Sequence, residues 1–311
     1  MKSIVGYTGF VGLNLVQQTN FDDLFNSRNI ADAYGTRPDL LVYAGVRAEK
    51  YLANNDPEKD YLAISDAISN IIKINPVFIV LISTIDVYKE PVSVDEDSEI
   101  DRDSLHPYGL HRYLLEDWVE RNIDKHLIVR LPGLYGSNLK KNFIYDLINI
   151  IPSMLNEDKL TELSKTIDNL PNYYPNQHNG FYKCRDLTRK EKEDLTKRFL
   201  AGGFSAENFT DSRGIYQFYN LAYLWRHLEV AMAYHIRKLN IATEPISAAE
   251  LYSNIRGKVF INKISDTPIH YDFRTKFDHL FKGKEGYIFS KSFVIDDIKH
   301  FIAGYREHDL L

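Results

Sequence analysis

The chain has 311 residues, 44% of them apolar, with a formal net charge of −5, enough for a sizeable core and one large or two interleaved domains. The mildly acidic balance argues against a nucleic-acid or membrane partner, and no apolar run approaches the ~18 residues of a membrane span. A single cysteine, Cys184, excludes an internal disulfide and fits a reducing cytoplasm, while the ten histidines lack zinc-ligand spacing, so no metal is expected.

The chain enters its first strand at once, which leaves no room for a signal peptide and makes a cytoplasmic location the expectation. Ile4-Val5 reads as a buried parallel strand. Gly6-Tyr7-Thr8-Gly9-Phe10-Val11-Gly12 then turns into an apolar helix over residues 13–16. This is the geometry a dinucleotide pyrophosphate needs, because backbone N–H groups at a helix start face the anion and side chains would block its approach. Residues 21–25 form a plausible second strand, followed by Asn26-Ser27-Arg28. An NAD-selective fold places a carboxylate about 20 residues past the glycine turn. Here a hydroxyl beside a guanidinium stands instead, which suits a 2′-phosphate and favours NADP over NAD.

Residues 39–45 form the next strand and end in Ala44-Gly45, small enough for a cofactor to lie against. Residues 60–74 have helical period, with Leu62, Ile64, Ile68, Ile71 and Ile72 on one broad face. Residues 77–82 are an unbroken apolar strand leading into Ser83-Thr84-Ile85-Asp86-Val87-Tyr88. A helix opening at Pro107-Tyr108 sets Tyr108 and Arg112 four apart on one face. Leu127-Ile128-Val129-Arg130 is a further buried strand leading to Pro132-Gly133. Strands alternating with helices imply a doubly wound parallel sheet that binds ligands at the strand C-termini. Residues 189–198 read as a solvated helix, 216–236 as an amphipathic one, 259–261 as a strand and 296–302 as a closing helix.

In these motifs the chain resembles the extended short-chain dehydrogenase/reductase superfamily, in particular its NAD(P)-dependent sugar-nucleotide epimerase/dehydratase family. The glycine motif is Gly6-x-x-Gly9-x-x-Gly12, the Ser/Thr element is Ser83-Thr84, and the tyrosine helix is Pro107-Tyr108-Gly109-Leu110-His111-Arg112 with Glu116. Asn142-Phe143-Ile144, Asp211 to Tyr216, Asn240 to Leu251 and Asp272-Phe273-Arg274 match later segments, so the likeness spans essentially the whole chain.

The resemblance implies a Rossmann-type α/β fold with a smaller α+β substrate lobe: residues 1–135 with 212–243 for the nucleotide, 136–211 with 244–311 for the substrate. It implies catalysis by Tyr108 as acid/base, Thr84 orienting the reacting oxygen and Arg112 tuning the phenol and holding the ribose. Cofactor contacts fall to Gly6, Thr8, Gly9, Phe10, Val11, Gly12, Asn26, Ser27, Arg28, Ala44, Gly45, Ser83, Tyr108, Arg112 and Pro132. Substrate contacts fall to Thr84, Asp86, Asn142, Arg213 and Arg274. The substrate is a nucleotide-sugar, the reaction an epimerisation or a 4-keto reduction, and residues 60–74 and 108–122 would form a homodimer.

Three departures qualify this. Arg112 replaces the family's lysine; guanidinium keeps the charge but cannot relay a proton. Ile85 replaces the acid of the dehydratases, which disfavours loss of water. Gly133 stands where many relatives have asparagine. The long segment holding Tyr173, Tyr174, Phe181, Tyr182, Lys183 and Arg185 suits either nucleotide stacking or an aromatic lid. The other reading open to the sequence is a non-catalytic NAD(P)-binding sensor or scaffold.

Overall fold

The structure, a computed structural model, describes residues 1–308, with side chains through 305. It divides into two compact units. The first comprises Met1–Asn138, Ile215–Ile246 and His270–Asp297, and the second comprises residues 139–214, 247–269 and 298 onward. The segment from His270 to Asp297 thus packs with the first unit, although it lies far along the chain.

The first unit is built on β1 (Lys2–Val5), α1 (Phe10–Val16), β2 (Asp23–Phe25), β3 (Leu40–Tyr43), α2 (Lys50–Asn55) and α3 (Pro57–Ile74). There follow β4 (Ile79–Thr84), α4 (Pro107–Asn122), β5 (His126–Leu131), α5 (Leu224–Ala233) and β6 (Lys238–Asn240). The six strands form one sheet in the order β6-β5-β4-β3-β1-β2, and every neighbouring pair is parallel. A parallel sheet needs both faces covered, which is why its strands read as continuous apolar runs. On one face Ile4, Val42, Val80 and Val129 pack with Leu15 of α1 and Leu224 and Leu228 of α5. On the other, Leu41, Ile79, Leu81 and Ile128 pack with Ile64 and Ile71 of α3 and Leu115 and Val119 of α4. This is the doubly wound Rossmann-type architecture expected from the alternation of elements.

Several elements differ from expectation. The helix at 60–74 starts earlier, because Pro57 takes a first-turn position and Asp56 accepts the Lys59 N–H at 3.2 Å. Its buried line is Ile64, Ala67, Ile71 and Ile74, while Leu62 and Ile72 are 63% and 59% exposed. Within this chain the apolar stripe is therefore only partly covered. The expected helix over 216–236 is only α5, since the aromatic run Phe218–Asn220 pairs as a parallel strand with Gly133–Tyr135. Asn220 ends that strand by accepting the Ala222 N–H at 2.9 Å.

The second unit has its own core of Leu155, Leu160, Leu163, Leu170, Tyr174, Leu195 and Phe199. Its helix Arg189–Ala201 is closed at the start by a reciprocal Thr188–Glu191 capping box. Residues 259–261 form no strand: Val259 and Ile261 are exposed, and only Phe260 is turned inward, stacking on Tyr252 at 4.7 Å and Phe143 at 5.9 Å. The closing helix is longer than expected, Lys291–His308. No helix among the described residues is long and apolar enough to cross a membrane.

Candidate active site

Because all six strands run the same way, their C-terminal ends collect separate motifs along one edge of the sheet. β1 delivers the glycine turn, β2 delivers Asn26-Ser27-Arg28, β3 delivers Ala44-Gly45, β4 ends in Ser83-Thr84 and β5 leads to Pro132.

Two of the three glycines are demanded by the chain's own packing. Gly6 has φ +91°, and a Cβ there would lie 2.4 Å from the Ala44 carbonyl oxygen. A Cβ on Gly12 would lie 2.2 Å from the carbonyl oxygen of Gly6. Gly9 is exposed and is the N-cap of α1, which no side chain caps. Thr8 is exposed beside it, with Phe10 and Val11 partly so. A turn folded against β3 that leaves the start of a helix bare is a cradle that fits a dinucleotide pyrophosphate.

The loop after β2 is stiffened by its asparagines: the Asn29 side chain accepts the Asn26 N–H, and the Asn26 side chain accepts the Arg28 N–H, both at 2.8 Å. Ser27 and Arg28 stand exposed, and no carboxylate follows the strand before Asp32.

Tyr108 sits in the first turn of α4 and is 6% exposed. Its helix comes this close to the turn after β4 because position 109 is glycine; a Cβ there would lie 2.1 Å from the Asp86 carbonyl oxygen. The Asn54 side chain of α2 accepts the Tyr108 N–H at 3.0 Å. The Thr84 side chain lies near the phenol and lowers its pKa, and the Arg112 guanidinium lies over its ring, 4.1 Å from the centroid. Arg112 does lower the pKa of this phenol, but it does not prevail. Burial pushes its pKa up to about 12; Arg112 and Thr84 pull it down, Asp86 and Asp60 raise it further, and burial wins.

Arg112 is itself engaged. Its guanidinium donates to the Asp60 carboxylate of α3 and to the Arg47 carbonyl oxygen at 2.6 Å. Asp60 also meets His111 Nδ1 at 2.7 Å. Ser83 donates its hydroxyl to Glu116, which is paired with Arg130 at 2.7 Å. Arg130 in turn donates to the Tyr88 hydroxyl at 2.6 Å. This network is buried, with Glu116 and Arg130 each 2% exposed. Burial lowers the pKa of Arg130, but Glu116 more than offsets this, so it ends raised. Asp86 accepts from Lys50 at 2.8 Å and from the Tyr271 hydroxyl at 3.0 Å.

The remaining sequence-derived candidates are tied into their own units. Arg274 donates to the Glu285 carbonyl oxygen at 3.2 Å and lies 5.0 Å from the Tyr287 ring centroid. Arg213 grips Asp211 at 2.8 and 3.0 Å and donates to the Ser265 carbonyl oxygen, holding the Asp211 carboxyl below the usual carboxylate range. Asn142, at φ +113°, accepts the Tyr145 N–H at 3.1 Å and so caps its own helix. In the long aromatic segment Tyr174 is buried and donates to the Pro152 carbonyl oxygen at 2.6 Å, while Arg185 lies 5.2 Å from the Tyr173 ring centroid. Sequence reasoning missed Asp60, Arg47, Asn54, Lys50 and Tyr271, since each reaches the site from a distant element. The one available signal was chemical: a buried arginine in a lysine's place requires a carboxylate partner.

The fold is that of α/β proteins with a doubly wound parallel sheet, whose ligands bind at the strand C-termini. No protein-family model matches the chain, and no curated protein matches its sequence. Among solved structures it is similar to dTDP-4-dehydrorhamnose reductase from Bacillus anthracis in complex with NADP, at 16% identity and TM-score 0.60, over 98% of this chain and 99% of that one. It is similar to UDP-glucose 4-epimerase from Thermotoga maritima with UDP-glucose, at 12% identity and TM-score 0.61, over 99% of each chain. A short-chain dehydrogenase/reductase superfamily protein from Agrobacterium tumefaciens with bound NAD aligns at 13% identity and TM-score 0.60, over 100% of this chain and 98% of that one.

Proposed function

We propose that this chain is an NAD(P)H-dependent oxidoreductase acting on the sugar of a nucleotide-sugar, and within that class a keto-sugar reductase. One observation carries the reading: a buried phenol near the Thr84 side chain and covered by a guanidinium, on the helix that follows β4. The sequence resemblance and the solved structures of the same fold, which include sugar-nucleotide enzymes, support the substrate class.

The pyrophosphate of the cofactor would rest on residues 6–12, with Ala44, Gly45 and Pro132 lining its course along the strand ends. Asn26, Ser27 and Arg28 would take a 2′-phosphate, and the lack of a carboxylate after β2 favours NADP. When bound, the reduced nicotinamide supplies a hydride. Thr84 holds the substrate carbonyl oxygen by hydrogen bond. Tyr108, which burial keeps protonated, gives that oxygen its phenolic proton, so ketone becomes alcohol and phenol becomes phenolate. Arg112 stabilises the phenolate until water reprotonates it. A phenol held in its acid form favours reduction over epimerisation, whose first step needs a base. Asp86 and Arg274 are the first unit's candidates for substrate contacts; Asn142 and Arg213 are the second's.

A second reading is favoured by one observation. Arg112 is already held by Asp60 and the Arg47 carbonyl, as in a dinucleotide-binding protein without turnover. The test is NADPH oxidation followed at 340 nm against a panel of nucleotide-linked 4-keto sugars. Turnover of at least one supports the reductase. Stabilisation by dinucleotide with no turnover and no response to any nucleotide-sugar supports the second reading.

A further inference from the structure

Resting on the assignment of Tyr108 as the acid, we propose that Asp60 is a positioning residue, the group that allows an arginine to serve where a lysine is expected. The Arg112 guanidinium is 5% exposed and is held from three elements. Asp60 in the first turns of α3 takes one of its nitrogens, the Arg47 carbonyl after β3 takes another at 2.6 Å, and the Tyr108 ring on α4 lies against its face at 4.1 Å. A flat, forked cation satisfies all three at once, whereas a lysine amine is a point and cannot lie along a ring while reaching acceptors on two sides. Without Asp60 the buried cation would lose its only carboxylate partner among the described residues and would have reason to leave the ring.

Asp60 also damps the charge that Tyr108 experiences. The charged groups around the phenol are Arg112 on its own helix, Asp60 on α3 and Asp86 on the turn after β4. Lys50 of α2 and Tyr271 face Asp86, and His111 shares the Asp60 carboxylate. Asp60 therefore keeps the guanidinium flat on the ring, while burial and the two carboxylates keep the phenol protonated.

The test reads the phenol directly and does not depend on knowing the substrate. The full chain is labelled with tyrosine carrying 13C at Cζ, the Tyr108 signal is assigned by its loss in Tyr108→Phe, and its position is compared at pH 8, where the phenol is protonated in every variant. Asp60→Asn, which keeps an acceptor but no charge to hold the cation, should move the Tyr108 signal away from its parent position as the guanidinium leaves the ring. Asp60→Glu, which keeps the charge, should leave the signal where the parent has it. Should Asp60→Asn not fold, Asp60→Ser serves the same comparison. Coincident Tyr108 signals in folded Asp60→Asn (or Asp60→Ser) and parent would overturn the proposal even if stability falls, and so would a signal displaced equally in Asp60→Glu. Absence of NADPH-dependent turnover in the parent would count against the reductase reading alone.

Discussion

Burial acts on Tyr108 and His227 by one rule with opposite protonation outcomes: each is held in its uncharged form. Tyr108 keeps its proton, which suits a donor. His227 is 7% exposed, touches the Tyr219 hydroxyl at 2.8 Å and sits against Phe281 and Phe289. Burial first, and then Arg226, lower its pKa from 6.5 to about 4. The unfolded chain therefore binds a proton below pH 6.5 that the folded chain refuses. The stability this gives is complete above pH 6.5 and is lost as pH falls toward 4, by up to about 3 kcal/mol. Urea denaturation at a series of pH values should show this slope in the parent and a shallower one in His227→Asn; equal slopes would contradict the assignment.

At the scale of the element, α4 joins the chemistry to the core. Gly109 brings its first turn against the carbonyl of Asp86, and one turn beyond Arg112, Glu116 pairs with Arg130 of β5 and accepts from Ser83 of β4. Breaking a buried pair strands one charge, so Glu116→Gln should cost about 3–5 kcal/mol in chemical denaturation; a loss below about 1 kcal/mol would show that the pair does not anchor the helix. Helix α4 was legible because its tyrosine, glycine and arginine are local in sequence. Asp60 was not, since its role appears only when α3 lies beside α4. Leu62 and Ile72 lie on the exposed rim of the same stripe, because apolar periodicity does not show how far the sheet reaches around a helix. Val259–Ile261 failed as a strand for lack of a neighbouring edge to pair with.

At the scale of the molecule, the parallel sheet is what gathers separate motifs at one edge. Its existence could be read from alternating apolar runs, but the membership of residues 270–297 in the first unit could not, because it depends on contacts made late in the chain. Ser27 and Arg28 stand exposed beyond β2, so NADPH should raise the melting temperature more than NADH at equal concentration, and Arg28→Ala should narrow the difference. Equal shifts in the parent would contradict the preference. The central claim, that Tyr108 is the proton donor for carbonyl reduction, is tested most directly by Tyr108→Phe, assayed for NADPH oxidation with a keto-sugar the parent turns over and for its melting temperature with NADPH. The expected result is a fall in turnover of roughly 10²–10⁴-fold with the cofactor-induced shift in melting temperature unchanged, whereas turnover within a few-fold of the parent would contradict the account.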